Sequence, residues 1–104
     1  WEHKDVDRAK TDLAQNGLSK FLCDRKGKLL GIHILGHGAG ELMHEAQLAK
    51  SLGLPFSKIA SVVHAYPSYC DAVRQPAKKC YIDILQDNFF IKLLKTIVPK
   101  KDKK

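Results

Sequence analysis

Five residues, Gly36-His37-Gly38-Ala39-Gly40, separate two kinds of hydrophobic pattern and thereby limit the fold class of the whole chain. Before them, residues 18–24 (LSKFLCD) and 29–35 (LLGIHIL) are dense in β formers. Their linker, Arg25-Lys26-Gly27-Lys28, carries a glycine where a tight turn needs positive φ. The pair predicts a β-hairpin. In its second strand Leu30, Ile32 and Ile34 share one face while Leu29, Gly31, His33 and Leu35 share the other, so both faces are expected to be partly covered. Residues 1–5 are expected to add an edge strand, with a short turn or helix over residues 7–12.

After the glycines the period changes to that of a helix. Leu42, Ala46 and Ala49 fall at helical spacing within residues 41–52, and Gly53 supplies the stop. The small alanines would let another element approach closely. Leu54-Pro55-Phe56-Ser57 restarts a second helix, with Pro55 or Ser57 near its cap and Ile59, Ala60, Val62 and Val63 as its apolar set, until Tyr66-Pro67-Ser68 interrupts it. A third helix is expected from Ser68 to about Gln75, with Ser68 as N-cap and Asp71 three residues later in a shortened capping box; Pro76 bends or ends it. From Ala77 to Val98 the apolar residues Tyr81, Ile82, Leu85, Phe89, Phe90, Leu93, Leu94 and Ile97 recur at three- and four-residue steps, which predicts one or two further amphipathic helices. The fold class that follows is α+β: an antiparallel β-sheet with helices packed on one face, plus a C-terminal amphipathic helix.

A chain of 104 residues has room for one small domain. Its formal charge of +7 raises anionic partners, but the charge is unevenly placed. Residues 92–104 hold six Lys and one Asp, a net +5, while residues 1–91 hold 12 basic and 10 acidic residues, a net +2. The domain proper therefore makes little electrostatic case for nucleic acid. The amphipathic stretch from Phe89 to Val98, followed by lysines, can pack against a partner helix or lie on an anionic membrane as a peripheral contact. A small basic binding module acting through the Lys-rich tail on membrane or nucleic acid is the competing reading. Residues 99–104 are expected to be disordered.

Cys23, Cys70 and Cys80 form no C-x-x-C, and an odd count in so short a chain argues against a secreted disulfide framework. The expectation is a cytoplasmic protein with buried, inert thiols. No apolar run approaches the roughly 18–20 residues that span a bilayer. The chain opens without Met in a polar stretch, and it is expected to be a piece of something longer.

Two attractive motifs lack the right spacing. Gly36, Gly38 and Gly40 recur at every second residue, and Glu41 and Met43 stand where a dinucleotide fingerprint needs glycine. A carboxylate in the first helical turn also repels phosphate. His33 and His37 stand four apart, but from a strand into a glycine-rich break rather than along one helix face, so no metal site is expected. The remaining cluster of ionisable groups is His64-Ala65-Tyr66-Pro67-Ser68-Tyr69-Cys70-Asp71, just before a helix.

The same residues carry a family likeness. Gly27-Lys28-Leu29-Leu30-Gly31-Ile32-His33-Ile34-Leu35-Gly36, then Ala39-Gly40-Glu41-Leu42, Glu45-Ala46, Leu52-Gly53-Leu54, Ile59 and His64-Ala65-Tyr66-Pro67-Ser68 together resemble one known domain. It is the C-terminal dimerisation domain of the FAD-dependent pyridine nucleotide-disulfide oxidoreductases, the family of dihydrolipoamide dehydrogenase and mercuric reductase. The likeness runs from Asp5-Val6-Asp7-Arg8-Ala9 to about residue 76.

The resemblance implies a homodimerisation domain over residues 1–80 that lacks the family's first strand, an amphipathic helical extension over 81–98 and a basic tail over 99–104. It implies no cofactor in this chain, with FAD and NAD(P) held by upstream domains of the parent enzyme. Those domains and a second copy of the chain are the expected partners, and the chain alone is expected to turn over nothing. Family members carry a His-Pro-Thr motif followed by Glu, in which the His reaches the partner subunit's active site as acid or base. The matching residues are Tyr66, Pro67 and Ser68, with Asp71 at the Glu position and His64 two residues before Tyr66. Tyr66, Asp71 and His64 are therefore the candidate site residues. A tyrosine, with an unperturbed pKa near 10, is a poorer proton carrier at neutral pH than the family's histidine.

Overall fold

The computed structural model describes residues 1–97, the side chain of Ile91 excepted. The expected disorder of residues 99–104 lies outside the described residues. The chain enters through a 3-10 turn, His3–Asp5, and a short helix α1, Asp7–Thr11. Strands β1, Leu18–Cys23, and β2, Leu29–Leu35, then form an antiparallel hairpin, followed by helix α2, Ala39–Ser51, a 3-10 helix, Phe56–Ser61, and the long helix α3, Asp71–Ile97. The architecture is α+β, with helices against the inner face of the hairpin.

Asp24 shapes the hairpin turn, its Oδ1 accepting from the backbone N–H groups of Lys26 and Lys28 at 2.9 Å each. Leu18 pairs with Leu35 and the ladder runs on to Leu22 opposite Gly31, but Cys23 then lies opposite Leu29. Leu30 is the extra residue of a β-bulge, which rotates the strand beyond it. Leu29 is thereby turned onto the core face with Ile32 and Ile34, and Leu30 is left 63% exposed. Strict alternation puts Leu30 on the same face as Ile32 and Ile34, and the bulge reverses that. The expected edge strand is reduced to one bridge, Glu2 with Leu18, because residues 3–5 coil into the 3-10 turn.

The main core gathers Leu29, Ala46, Ala49, Phe56, Ile59, Val73 and Ala77, with Phe21 stacked on Phe56 at 4.5 Å between ring centroids. Ala46 and Ala49 make the buried face of α2 small enough for the hairpin to lie against it. A second cluster, Val6, Ala9 and Ala72, fastens α1 to the first turn of α3.

Two helical expectations change. The segment after Pro55 is a 3-10 helix that ends at Ser61, with Phe56 and Ile59 buried, while Val62 and Val63 lie beyond it and are exposed. Pro76 neither ends nor divides the last helix, which runs unbroken across residues 80 and 81. Its ring cannot donate to the carbonyl four residues back, a loss of about 3 kcal/mol in a helix interior. Val73 and Ala77 on either side of it are buried in the same core, and that packing holds the helix together.

Candidate functional site

The segment between the 3-10 helix and α3, residues 62–70, crosses the outside of the domain with a cis Tyr66–Pro67 peptide and brings the candidate residues to the surface. Tyr66 is 69% exposed. Its hydroxyl donates to Asp7 Oδ2 at 2.5 Å, and Lys10 lies on the same carboxylate at 3.4 Å. The bond to Tyr66, and then Lys10, holds Asp7 below the usual carboxylate range, while the neighbouring carboxylate pushes the phenol of Tyr66 upward. Tyr66 thus stands at neutral pH as a protonated donor.

One turn on, Tyr69 repeats the arrangement. Its hydroxyl donates to Asp12 Oδ2 at 2.6 Å, where Arg8 Nε also donates at 3.0 Å. Asp12 is lowered by these two bonds, Tyr69 first, and the Tyr69 phenol is raised by Asp12. The Tyr69 ring packs against His37 at 4.8 Å and lies 6.0 Å from the Arg8 guanidinium. Two tyrosines of one loop are therefore clamped by two carboxylates at the start and end of α1. These carboxylates come from far back in the chain, and no local pattern around the Tyr-Pro motif announces them.

Asp71 occupies the first turn of α3, where a carboxylate favours the positive end of the helix. It is only 5% exposed and accepts from Arg74 Nε at 3.0 Å. Tyr66 and Asp71 are not hydrogen-bonded to each other, since Asp7 takes the phenol and Arg74 takes Asp71. Asp71 is still near enough to add its charge to the upward push on Tyr66. The expected capping box does not close: Ser68 Oγ accepts from the Cys70 N–H at 3.2 Å, one residue short of Asp71.

His64 is turned inward. Its Nδ1–H donates to Val62 O at 2.7 Å and its Nε2 meets Glu45 Oε2 of α2 at 2.7 Å. A carbonyl can only accept, so the hydrogen on Nδ1 is assigned and Nε2 faces the carboxylate. The pair ties the start of the loop to α2.

The residues of the glycine segment do not fit a dinucleotide. Gly38 is the N-cap of α2 in a left-handed conformation, and Glu41 sits in the first turn where a phosphate would have to lie. Among the described residues no three His, Cys, Asp or Glu side chains converge in a way that could hold a metal ion. A groove of about 880 Å³ runs between β1 and α3, lined by Phe21, Cys23, Pro76, Cys80 and Phe90 among others, and neither Tyr66, Asp71 nor His64 borders it. All three cysteines are free thiols; Cys23 lies beside Cys80, and burial is the main cause that pushes its thiol up to about 12. No helix among the described residues is long and apolar enough to cross a membrane.

Residues 2–77, which contain the hairpin, α2, the Tyr-Pro loop and the start of α3, match the family described as pyridine nucleotide-disulphide oxidoreductase, dimerisation domain. The chain belongs to this family. Dihydrolipoamide dehydrogenase of Chaetomium thermophilum is 41% identical over 75 residues, covering 71% of this chain and 15% of the relative. The mitochondrial dihydrolipoyl dehydrogenase of Homo sapiens is 44% identical over 69 residues, covering 65% and 14%. Dihydrolipoyl dehydrogenase 2 of Arabidopsis thaliana, also mitochondrial, is 40% identical over 75 residues, covering 71% and 15%. The chain thus spans about 15% of the length of these relatives and corresponds to their dimerisation domain. A dimerisation domain implies a second copy as partner. Residues 78–97 of α3 continue past the match.

Proposed function

We propose that this chain is the homodimerisation domain of an FAD- and NAD(P)-dependent oxidoreductase, and that it lends residues to the active site of the partner subunit. The domain itself comprises residues 1–80, with the remainder of α3 from residue 81 as a helical extension. The parent is read as a cytoplasmic enzyme, and FAD and NAD(P) are assigned to its other domains. The chain alone catalyses nothing.

The observation that supports this reading is the exposure of the Tyr66 phenol on a loop anchored at two points. His64 holds the loop to α2 through Glu45, and Tyr69 holds it to α1 through Asp12. A side chain that must reach across a subunit boundary has to be exposed in the free domain and carried by a fixed backbone. Tyr66 would act there as a hydrogen-bond donor rather than as a base, its hydrogen turning from Asp7 to a leaving sulfur or oxygen as negative charge develops on it. Asp71 and His64 serve this role by position: the Asp71 charge helps to keep the phenol protonated, and His64 fixes the loop.

The test uses the dimeric flavoenzyme that carries this domain, with Tyr66→Phe in one subunit population. The expected result is turnover lowered by about 10²-fold, with the rate of flavin reduction by NAD(P)H unchanged, because the first half-reaction does not need the phenol. Mixed dimers should be impaired only in the active site that faces the altered subunit. Full turnover in the Tyr66→Phe homodimer would remove the assignment.

A further inference from the structure

The geometry points to Cys23 and Cys80 as a thiol pair that a small-molecule disulfide of the glutathione type converts into a reversible covalent bond between β1 and α3. Both thiols belong to one chain, so the bond forms within a monomer and stands apart from the dimerisation reading. Cys80 lies past the end of the family match at residue 77.

Two elements distant in sequence bring the sulfurs together. Cys23 ends β1 on the inner face that Ser19 and Phe21 also occupy, and the bulge sets it opposite Leu29. Pro76, Cys80 and Ile84 follow one another at four-residue steps along α3, and all three border the groove between α3 and β1. Cys23 and Cys80 both pack against the core cluster that contains Leu29 and Ala77, and the Cys23 S–H donates to the Cys80 sulfur. A Cβ on Gly27, in the hairpin turn, would lie 4.0 Å from Cys80 Sγ, so α3 rests directly on that end of the hairpin. With the sulfurs already in contact, rotation of the two side chains brings them to bonding distance without a shift of either backbone.

The expectation of buried thiols fails for both, which are half-buried and open onto the groove of about 880 Å³. That volume falls within the roughly 300–1,000 Å³ of small-molecule sites. Burial raises both thiols, but the bond from Cys23 offsets part of the rise at Cys80, so Cys80 ionises first. The Cys80 thiolate attacks one sulfur of the small disulfide and expels one small thiolate, leaving Cys80 in a mixed disulfide. Cys23 then gives up its proton, its sulfur attacks Cys80 Sγ, and the second small thiolate leaves. The two expelled thiolates take up the two protein protons: one small disulfide is reduced to two thiols as two protein thiols are oxidised to one disulfide. Excess small thiol runs the same steps backwards. Cys70 does not border the groove and takes no part.

The test adds oxidised glutathione to the reduced 104-residue chain, alkylates the remaining thiols and maps the unreduced peptides by mass spectrometry. The expected result is a chain lighter by two hydrogens before alkylation, one peptide pair linking Cys23 to Cys80, and an alkylated Cys70. The rate should rise about tenfold per pH unit between about pH 7 and pH 8.5, because only the thiolate attacks. The thermal midpoint of the oxidised chain should rise by about 10 °C or more, since the bond closes a long loop in the unfolded state. Cys23→Ser should stop at a glutathione adduct on Cys80. An adduct that persists on wild-type Cys80, a link that includes Cys70, a link between two chains, or three thiols that all remain open to alkylation would each overturn the pair. Mapping of the wild-type chain decides this even where the serine variant fails to fold.

Discussion

The Tyr66 hydroxyl donates to Asp7 across 59 residues of chain, joining the loop before α3 to the first turn of α1. The bond favours the ionised carboxylate and the protonated phenol, so Asp7 is lowered and Tyr66 raised. Replacing Asp7 by Asn removes the charge while keeping an acceptor. The Tyr66 phenol should then ionise closer to the ordinary value of about 10, as followed by the phenolate absorbance. Tyr69, held separately by Asp12, should keep its raised titration and serves as the internal reference. An unchanged Tyr66 titration in Asp7→Asn would mean that the bond does not govern the phenol.

His3 predicts how stability depends on pH. It is buried, its Nε2 lies 2.8 Å from Ser19 Oγ, and burial, followed by the nearby N-terminal ammonium, lowers its pKa. The unfolded chain therefore takes up a proton more readily than the folded one. This contribution to stability is fully present above the unfolded value of about 6.5 and is lost as pH falls through that value toward the lowered folded one. Urea midpoints should decline between about pH 7 and pH 5, and the His3 ring resonance should titrate below the ordinary histidine value of about 6.5. A midpoint that does not move over this interval would exclude His3 as a destabilising proton acceptor.

The sequence was legible where a residue's environment is decided by near neighbours. The hairpin could be read from its β formers and Gly27, and α2 from Leu42, Ala46 and Ala49 with its stop at Gly53, because periodicity and turn chemistry are local properties. The bulge at Leu30 was not legible, since a change of register depends on how the partner strand is docked. Pro76 gave a local stop signal that the burial of Val73 and Ala77 overrides. The site divides in the same way. The motif marked Tyr66, Asp71 and His64; Asp71 finds its partner Arg74 one turn along the same helix, but Asp7 and Glu45, the partners of Tyr66 and His64, come from helices distant in sequence, and tertiary packing alone brings them together.

Two glycines flanking one glycine-rich segment should respond to alanine with opposite sign. A Cβ on Gly36 would come within 2.5 Å of His3 Nδ1, at a φ of +144° that side chains rarely adopt. Gly40 lies within α2, and nothing stands within 4 Å of a Cβ there. Gly36→Ala should destabilise the domain by about 1–3 kcal/mol, because the buried imidazole cannot withdraw. Gly40→Ala should stabilise it by about 0.5–1 kcal/mol through helix propensity. Denaturant unfolding of both variants checks the contrast, and equal effects would show that His3 does not pack against Gly36.

The Glu45–His64 pair should be worth more to the loop than to the domain. The His64 side chain is 8% exposed but that of Glu45 is 38% exposed, so water screens the pair from one side. A double-mutant cycle with Glu45→Ala and His64→Ala should return a coupling energy of about 1 kcal/mol. Global unfolding should change little beyond that, since neither residue belongs to the buried core. Amide hydrogen exchange over residues 62–70 should accelerate in Glu45→Ala, because His64 then loses its tie to α2 and the loop keeps only the anchors at Tyr66 and Tyr69. Glu45→Gln, which keeps an acceptor in place, should restore much of the protection. If exchange in the loop is the same in all three proteins, the pair fixes nothing, and Tyr66 owes its position to Asp7 and to the Tyr69–Asp12 anchor.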